Sequence, residues 1–358
     1  MAEHADNGVN EIVGALSPRT GSLSGAFGAR RSRAATRRRT EELPPASLAH
    51  KTPVAPSSRM LNCDAAVTAF AGAFLGCSVT TCLGAFGIAS DIASASATLL
   101  LCVLARLTRT TGLLTDEFFP ALYGGTFAGM TPIIWLGGSA SGHPAAWMAA
   151  LSISLSITCG LAFSVVATLD ARTAAPVGAG CGGRSGAIAA AASLLFIQVA
   201  WWSGVDAGRF HNVQVGALNV EPWSAALGLL ACAAGVFVTS FALRQPRIAD
   251  GSASQKVTVA SAAALSGLMI LCLGDPHDAN LRDDYYAGCF LGMSRLDRLK
   301  GWFRPVLDAF LLMILLLPVR ALLPGIGGRL GLAAFAAVMM LGAANRAAAA
   351  RRSPAMSE

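Results

Sequence analysis

The chain has 358 residues, of which 54% are hydrophobic and only 13% charged, with a mean hydropathy of +0.56; soluble domains carry about 25% charged residues. Helices that lack charged faces cannot be solvated, so a conventional soluble enzyme or binding domain is excluded and lipid becomes the solvent for most of the chain. The net charge of +7 does not point to nucleic acid, because much of it sits in one short stretch near the N-terminus.

That stretch lies within residues 1–60, where Arg30, Arg31, Arg33, Arg37, Arg38 and Arg39 are set among Ala, Gly, Ser and Pro. It holds too few large apolar residues to build a core, and it reads as a disordered basic tail. The first long apolar run begins only after Asp64, so no cleaved secretory signal is expected; Glu3, Asp6, Glu11, Glu41 and Glu42 oppose an organelle transit peptide.

A helix needs roughly 20 apolar residues to cross a bilayer. Charge-free runs from Ala65 to Ser90 and from Ile92 to Ala105 predict a hairpin of two spans. No Asp, Glu, Lys or Arg occurs between Glu117 and Asp170, which predicts two more spans, broken in the Gly-Ser-Pro stretch at 137–144. Further spans are predicted at 186–203, 223–243, 257–274, 306–320 and 330–345, and a tenth, short segment at Tyr285–Ser294 covers roughly half the bilayer.

The expected fold is therefore an all-α integral membrane protein of about ten segments. A first membrane repeat occupies 61–204, an outer connecting loop 205–222, a second repeat 223–345, and a short basic tail 346–358. The basic N-terminal tail places that end in the cytoplasm, with the chain in a plasma (inner) membrane. Counting from there, most loop arginines and lysines fall inside, while Arg320 and Arg329 fall outside against the rule.

The repeats rest on an internal match. Tyr123-Gly-Gly-Thr-Phe-Ala-Gly-Met-Thr131 and Tyr286-Ala-Gly-Cys-Phe-Leu-Gly-Met-Ser294 share the pattern Y-x-G-x-F-x-G-M-[ST]. The chain has only three tyrosines and ten methionines, so their joint agreement carries more weight than the glycines. Each copy reads as the third element of a five-element unit. Two sequential units with an odd number of crossings lie in opposite orientations, the inverted-topology plan of many secondary transporters.

The paired segments predict a pathway lined by Tyr123, Gly125, Phe127 and Gly129 and by Tyr286, Gly288, Phe290 and Gly292. Glycine lets a helix unwind there and expose backbone dipoles to a solute. The competing reading is that each G-x-x-x-G merely lets helices approach closely and that the rings are packing; both stay open at this stage.

Asp308, inside a predicted span, is a candidate coupling residue. Asp275 and Asp278, with His277, Asp283 and Asp284, form an acidic stretch that either concentrates cations at an entrance or is plain solvated loop charge. Ser152, Ser154, Ser156 and Thr158 alternate along one span and are expected to bond backbone carbonyls or neighbouring helices. The cysteines in apolar runs, among them Cys77, Cys82, Cys102, Cys159, Cys232 and Cys272, read as small buried hydrophobes.

No catalytic, metal or cofactor motif is present: there is no G-x-S-x-G, no H-E-x-x-H and no Walker A loop. The expected function is a transporter or channel for a small ion or polar solute, not an enzyme, with no cofactor, no nucleic acid and the lipid bilayer as partner; a homo-oligomer stays open. The alternatives are a membrane-embedded enzyme that uses polar residues of 275–304 on a lipid substrate and a scaffold whose basic tail recruits anionic lipid or protein.

Overall fold

The computed structural model describes residues 61–107, 117–133, 145–173, 176–205, 222–244, 264, 265, 267, 279–294 and 303–352. The basic tail at 1–60, most of the predicted span at 257–274, and Asp275, His277 and Asp278 lie outside the described residues. Among the described residues the secondary structure is helical, without strands. The helices are α1 (Leu61–Ala85), α2 (Ser90–Leu107), α3 (Phe118–Ala128), α4 (Ala145–Arg172), α5 (Arg184–Trp202), α6 (Pro222–Arg244), α7 (Ala279–Gly292), α8 (Phe303–Leu322) and α9 (Arg329–Arg352).

Six of these, α1, α4, α5, α6, α8 and α9, are long and apolar enough to cross a membrane. Their burial pattern is that of a protein dissolved in lipid. Ile153, Ile157, Leu161, Val165 and Leu169, all exposed, recur at four-residue spacing and form one continuous ridge along α4. Phe237 and Phe241 on α6, and Val306, Leu307, Phe310 and Ile314 on α8, are exposed in the same way. The inward faces hold many small residues beside larger ones such as Leu155, Leu312 and Leu316, including Ala73, Cys77, Ala189, Ala190, Cys232, Ala309 and Ala333, because helices in lipid pack through close backbone approach. Trp147, Trp201, Trp202 and Trp223 are exposed at helix ends, where an interfacial aromatic belt would sit.

The first two predicted segments are present as α1 and α2. Between Glu117 and Asp170 the structure departs from two full spans: α3 is only 11 residues long, a rise of roughly 16 Å, whereas α4 runs for 28. The run looked long enough because nothing charged punctuates it, but the chain leaves the helix at Gly129–Thr131, where Met130 N–H donates to Phe127 C=O and Thr131 N–H to Ala128 C=O. α7, at 14 residues, matches the short segment expected around Tyr285–Ser294.

Contacts fix the helix directions. Gly72 and Gly76 of α1 abut Phe118 and Leu122 of α3, while Gly129 abuts Cys77 and Thr80, so α3 runs parallel to α1. On α4, Ser156 accepts a hydrogen bond from Ser78 at 3.0 Å and Gly160 abuts Phe70, so α4 runs antiparallel to α1. In the second half Gly228 of α6 abuts Asp284 of α7, Gly235 abuts Tyr285 and Cys289, and Gly292 abuts Val236 and Thr239; α7 therefore runs parallel to α6, as α3 does to α1.

The hydroxyls of α4 behave as their spacing requires. Ser152 donates to Met148 C=O, Ser156 to Ser152 C=O and Thr158 to Ser154 C=O, at 2.8–2.9 Å. Of the described cysteines, Cys77, Cys102, Cys159 and Cys232 are buried as expected, whereas Cys82 near the end of α1 is exposed.

Candidate functional site

The glycines of the two motif segments meet backbone. A Cβ on Gly125 would fall on Ala73 C=O, and one on Gly288 on Cys232 C=O. Gly129 likewise sits against Cys77 and Thr80, and Gly292 against Val236 and Thr239. The two helix pairs share this packing at corresponding positions: Gly76 against Leu122 corresponds to Gly235 against Tyr285, and Thr80 against Gly129 to Thr239 against Gly292. In both segments G-x-x-x-G holds a short helix tightly on a long one.

The aromatic positions form a shared cluster. Phe127 and Phe290 lie with ring centroids 4.5 Å apart, Tyr123 and Phe127 at 4.8 Å, and Tyr123 and Phe290 at 5.6 Å. Tyr123, Phe127, Tyr286 and Phe290 are all buried. The hydroxyls of Tyr123 and Tyr286 have no hydrogen-bond partner among the described residues, which leaves two phenol groups at corresponding motif positions unsatisfied in the core.

A second internal match lies where these segments end. Gly180-Cys-Gly-Gly-Arg-Ser-Gly186 and Gly325-Ile-Gly-Gly-Arg-Leu-Gly331 share G-x-G-G-R-x-G. Each copy leads into a helix, α5 or α9, and the backbone agrees: Gly180 and Gly183 have φ of 71° and 82°, and Gly325 and Gly328 have 69° and 84°, a left-handed conformation that favours glycine. Glycine-rich similarity is easily discounted in a chain with 38 glycines; the shared arginine after Gly-Gly was the informative letter.

These loops join the halves crosswise. Gly182 N–H donates to Ser294 Oγ at 2.8 Å, and Gly327 N–H donates to Thr131 Oγ1 at 3.0 Å. The acceptors are the final residues of the two Tyr-Gly-Phe-Gly-Met segments, and each bonds the loop of the other half. The helices then cross at Gly186 and Gly331, where a Cβ on either would come within 2.6 Å of the other's Cα. Gly183 abuts Ala334 and Phe335 while Gly328 abuts Ala189 and Ala190, so α5 and α9 run antiparallel through the contact.

Thr131 and Ser294 are buried. Thr131→Val or Ser294→Ala leaves a buried N–H without its acceptor, so each is expected to destabilise the protein by about 1–3 kcal/mol. Thermal unfolding of the purified variants checks this, with losses of similar size expected for the two.

Thr131 also donates to Ser193 Oγ at 3.0 Å and forms part of the wall of a cavity of about 730 Å³. The rest of the wall comes mostly from the C-terminal part of α1, including Ser78, Thr80 and Thr81, and from α4, including Ser152 and Ser156, with Ile88, Ser90 and the residues around Thr131 completing it. None of the described residues that line the cavity is charged.

Several of the described charges are ion-paired. Arg184 meets Asp170 at 2.6 Å, Arg329 meets Asp283 at 2.8 Å and Arg320 meets Asp284 at 2.8 Å. Arg282 lies 3.3 Å from Asp91. Asp283 and Asp284, read from sequence as entrance or solvated charge, are thus ion-paired to arginines, and Asp284 is only 3% exposed. These are also the partners of Arg320 and Arg329, the two residues that broke the charge rule. Asp308, likewise buried, is paired with Arg304 at 3.1 Å.

Comparison with protein-family models, with curated proteins and with solved structures returns no match. The functional reading therefore rests on geometry. The structure brings Tyr123, Phe127 and Phe290 together, with the glycines of both segments packed against α1 and α6. It leaves Asp308 apart on α8, bound to its own helix's Arg304. The motif ends Thr131 and Ser294, the second glycine motif and the hydroxyl-lined cavity are what sequence reasoning did not single out.

Proposed function

We propose that this protein is a membrane transporter or channel for a small ion or polar solute, built from two five-element halves of opposite orientation, with its pathway along the paired Tyr-Gly-Phe-Gly-Met segments. The observation that carries the reading is the crosswise pair of hydrogen bonds, Gly182 to Ser294 and Gly327 to Thr131. Two independent sequence motifs occur once per half, and each copy of one meets the other half's copy of the second.

The antiparallel crossing of α5 and α9 supports the inverted arrangement, since these helices follow the two copies of one motif. In transporters of this plan, short or glycine-interrupted segments of the halves meet near the middle of the bilayer and form the solute site, and one half moves against the other. The glycines at 125, 129, 288 and 292 serve the packing that holds the short helices in place, and the pathway lies at the ends of those helices, where buried polar groups such as Thr131 and Ser294 collect.

The test is topology. With single cysteines introduced at Thr111 and Ala279, an impermeant thiol reagent is expected to label one from the outside of sealed membranes and the other only from the inside. Labelling of both from one side would remove the inverted repeat and, with it, the reason to place a pathway between the halves. Solute flux in proteoliposomes of the full chain then tests transport itself.

A further inference from the structure

We infer that the cavity between α1, α3 and α4 is a binding site for a small uncharged solute rich in N–H or O–H donors, of the polyol or amide class. The inference deepens the transport reading and rests on it for the solute's passage, though not for its binding.

Size comes first. At about 730 Å³ the cavity lies within the roughly 300–1,000 Å³ range of small-molecule sites, and it is far larger than a bare ion needs. Charge comes second. Among the described residues its lining includes no Asp, Glu, Lys, Arg or His, and a net charge moved from water into such a space without a partner pays a large desolvation penalty. An uncharged polar solute does not.

The hydrogen-bond bookkeeping sets the class. Ser78 donates a hydrogen bond to Ser156, Ser156 to Ser152 C=O, Ser152 to Met148 C=O and Thr81 to Cys77 C=O. Thr131 donates to Ser193. Of these, Ser78 and Ser152 are half-buried; they have spent their hydrogens on the protein and retain oxygen lone pairs, so the wall offers acceptors. A solute that brings several donors fits this inventory better than one that brings acceptors.

Position links the site to the rest of the molecule. Thr131, a residue of the wall, also accepts from Gly327 through Oγ1. A solute seated against Thr131 acts beside the contact between the halves, which is where a transporter needs binding to be felt.

Cys82 supplies the test, because it is exposed and lines the cavity. In proteoliposomes of the full chain, an impermeant methanethiosulfonate is applied and modification of Cys82 is read by peptide mass spectrometry. The probes are glycerol, urea and acetamide, with methylammonium and acetate as charged comparators. Uptake of the same solutes is followed by stopped-flow light scattering, with and without the reagent, and in Ser152→Phe, which fills the cavity. Cys82→Ala controls for the reagent.

At least one uncharged probe is expected to slow modification threefold or more, and modification or Ser152→Phe to cut its uptake at least fivefold. Protection without any uptake would uphold the site and sink the transport reading. Uptake that is indifferent to Cys82 modification and to Ser152→Phe would uphold transport and overturn the site. Stronger protection by methylammonium or acetate would overturn the uncharged class, and failure of Cys82 to react would show that the cavity is closed to water and overturn the proposal.

Discussion

Gly288→Ala is expected to remove most of the folded protein, and Gly125→Ala to do the same, although each adds a single methyl group. The added carbon would fall on a backbone carbonyl, that of Cys232 in one case and of Ala73 in the other. A side-chain obstacle can rotate away; a carbonyl oxygen inside a long helix cannot, so the helices must separate. Ordinary overpacking costs about 1–3 kcal/mol, and displacement of a whole helix pair costs more, because every close contact along it is stretched at once. Gly342→Ala is the control, since a Cβ there meets nothing within 4 Å. Fluorescence-detected size-exclusion of tagged variants reads the outcome: a monodisperse peak for Gly342→Ala and an aggregated or missing one for the other two. A stable, monodisperse Gly288→Ala that has lost only flux would sink the packing account and return that glycine to the pathway as a point of unwinding.

The membrane class was legible in the sequence because charge deficit is a property of composition and needs no fold. The first motif was legible because tyrosine and methionine are scarce here, so that agreement at Tyr123/Tyr286 and Met130/Met293 stood out against common glycine. What the glycines do was not legible: G-x-x-x-G fits a packing face and an unwound pathway equally, and only the position of Ala73 C=O and Cys232 C=O separates them. The second motif was hidden by the same abundance of glycine. The length of α3 was hidden because an apolar turn at Gly129–Thr131 looks like apolar helix when no charge marks it. The cavity could not be read at all, since its hydroxyls come from α1, α4 and the end of α3, and nothing in their separate runs says that they face one space.

Arg320 shows how a fold converts an exception into a rule. Read along the sequence, Arg320 and Arg329 sit on the wrong side of the membrane for the charge asymmetry of short loops. In the structure they meet Asp284 and Asp283, so neither presents an uncompensated positive charge and neither counts in the asymmetry. Because Asp284 is 3% exposed, Arg320→Met leaves a buried carboxylate without its guanidinium, a change expected to cost about 3–5 kcal/mol and to lower the melting temperature by on the order of 10 °C. The double variant Arg320→Met with Asp284→Asn is expected to recover more than half of that loss, because the stranded charge is gone while the volume beside Gly228 is kept. Arg184→Met, which breaks a pair whose side chains are 25% and 19% exposed, is expected to cost less than about 1 kcal/mol. Thermal unfolding of the four proteins in detergent separates the cases. Equal losses in the single and double Arg320 variants would mean that the arginine acts through packing alone, and the neutralised pair would then no longer explain why it is tolerated on that side.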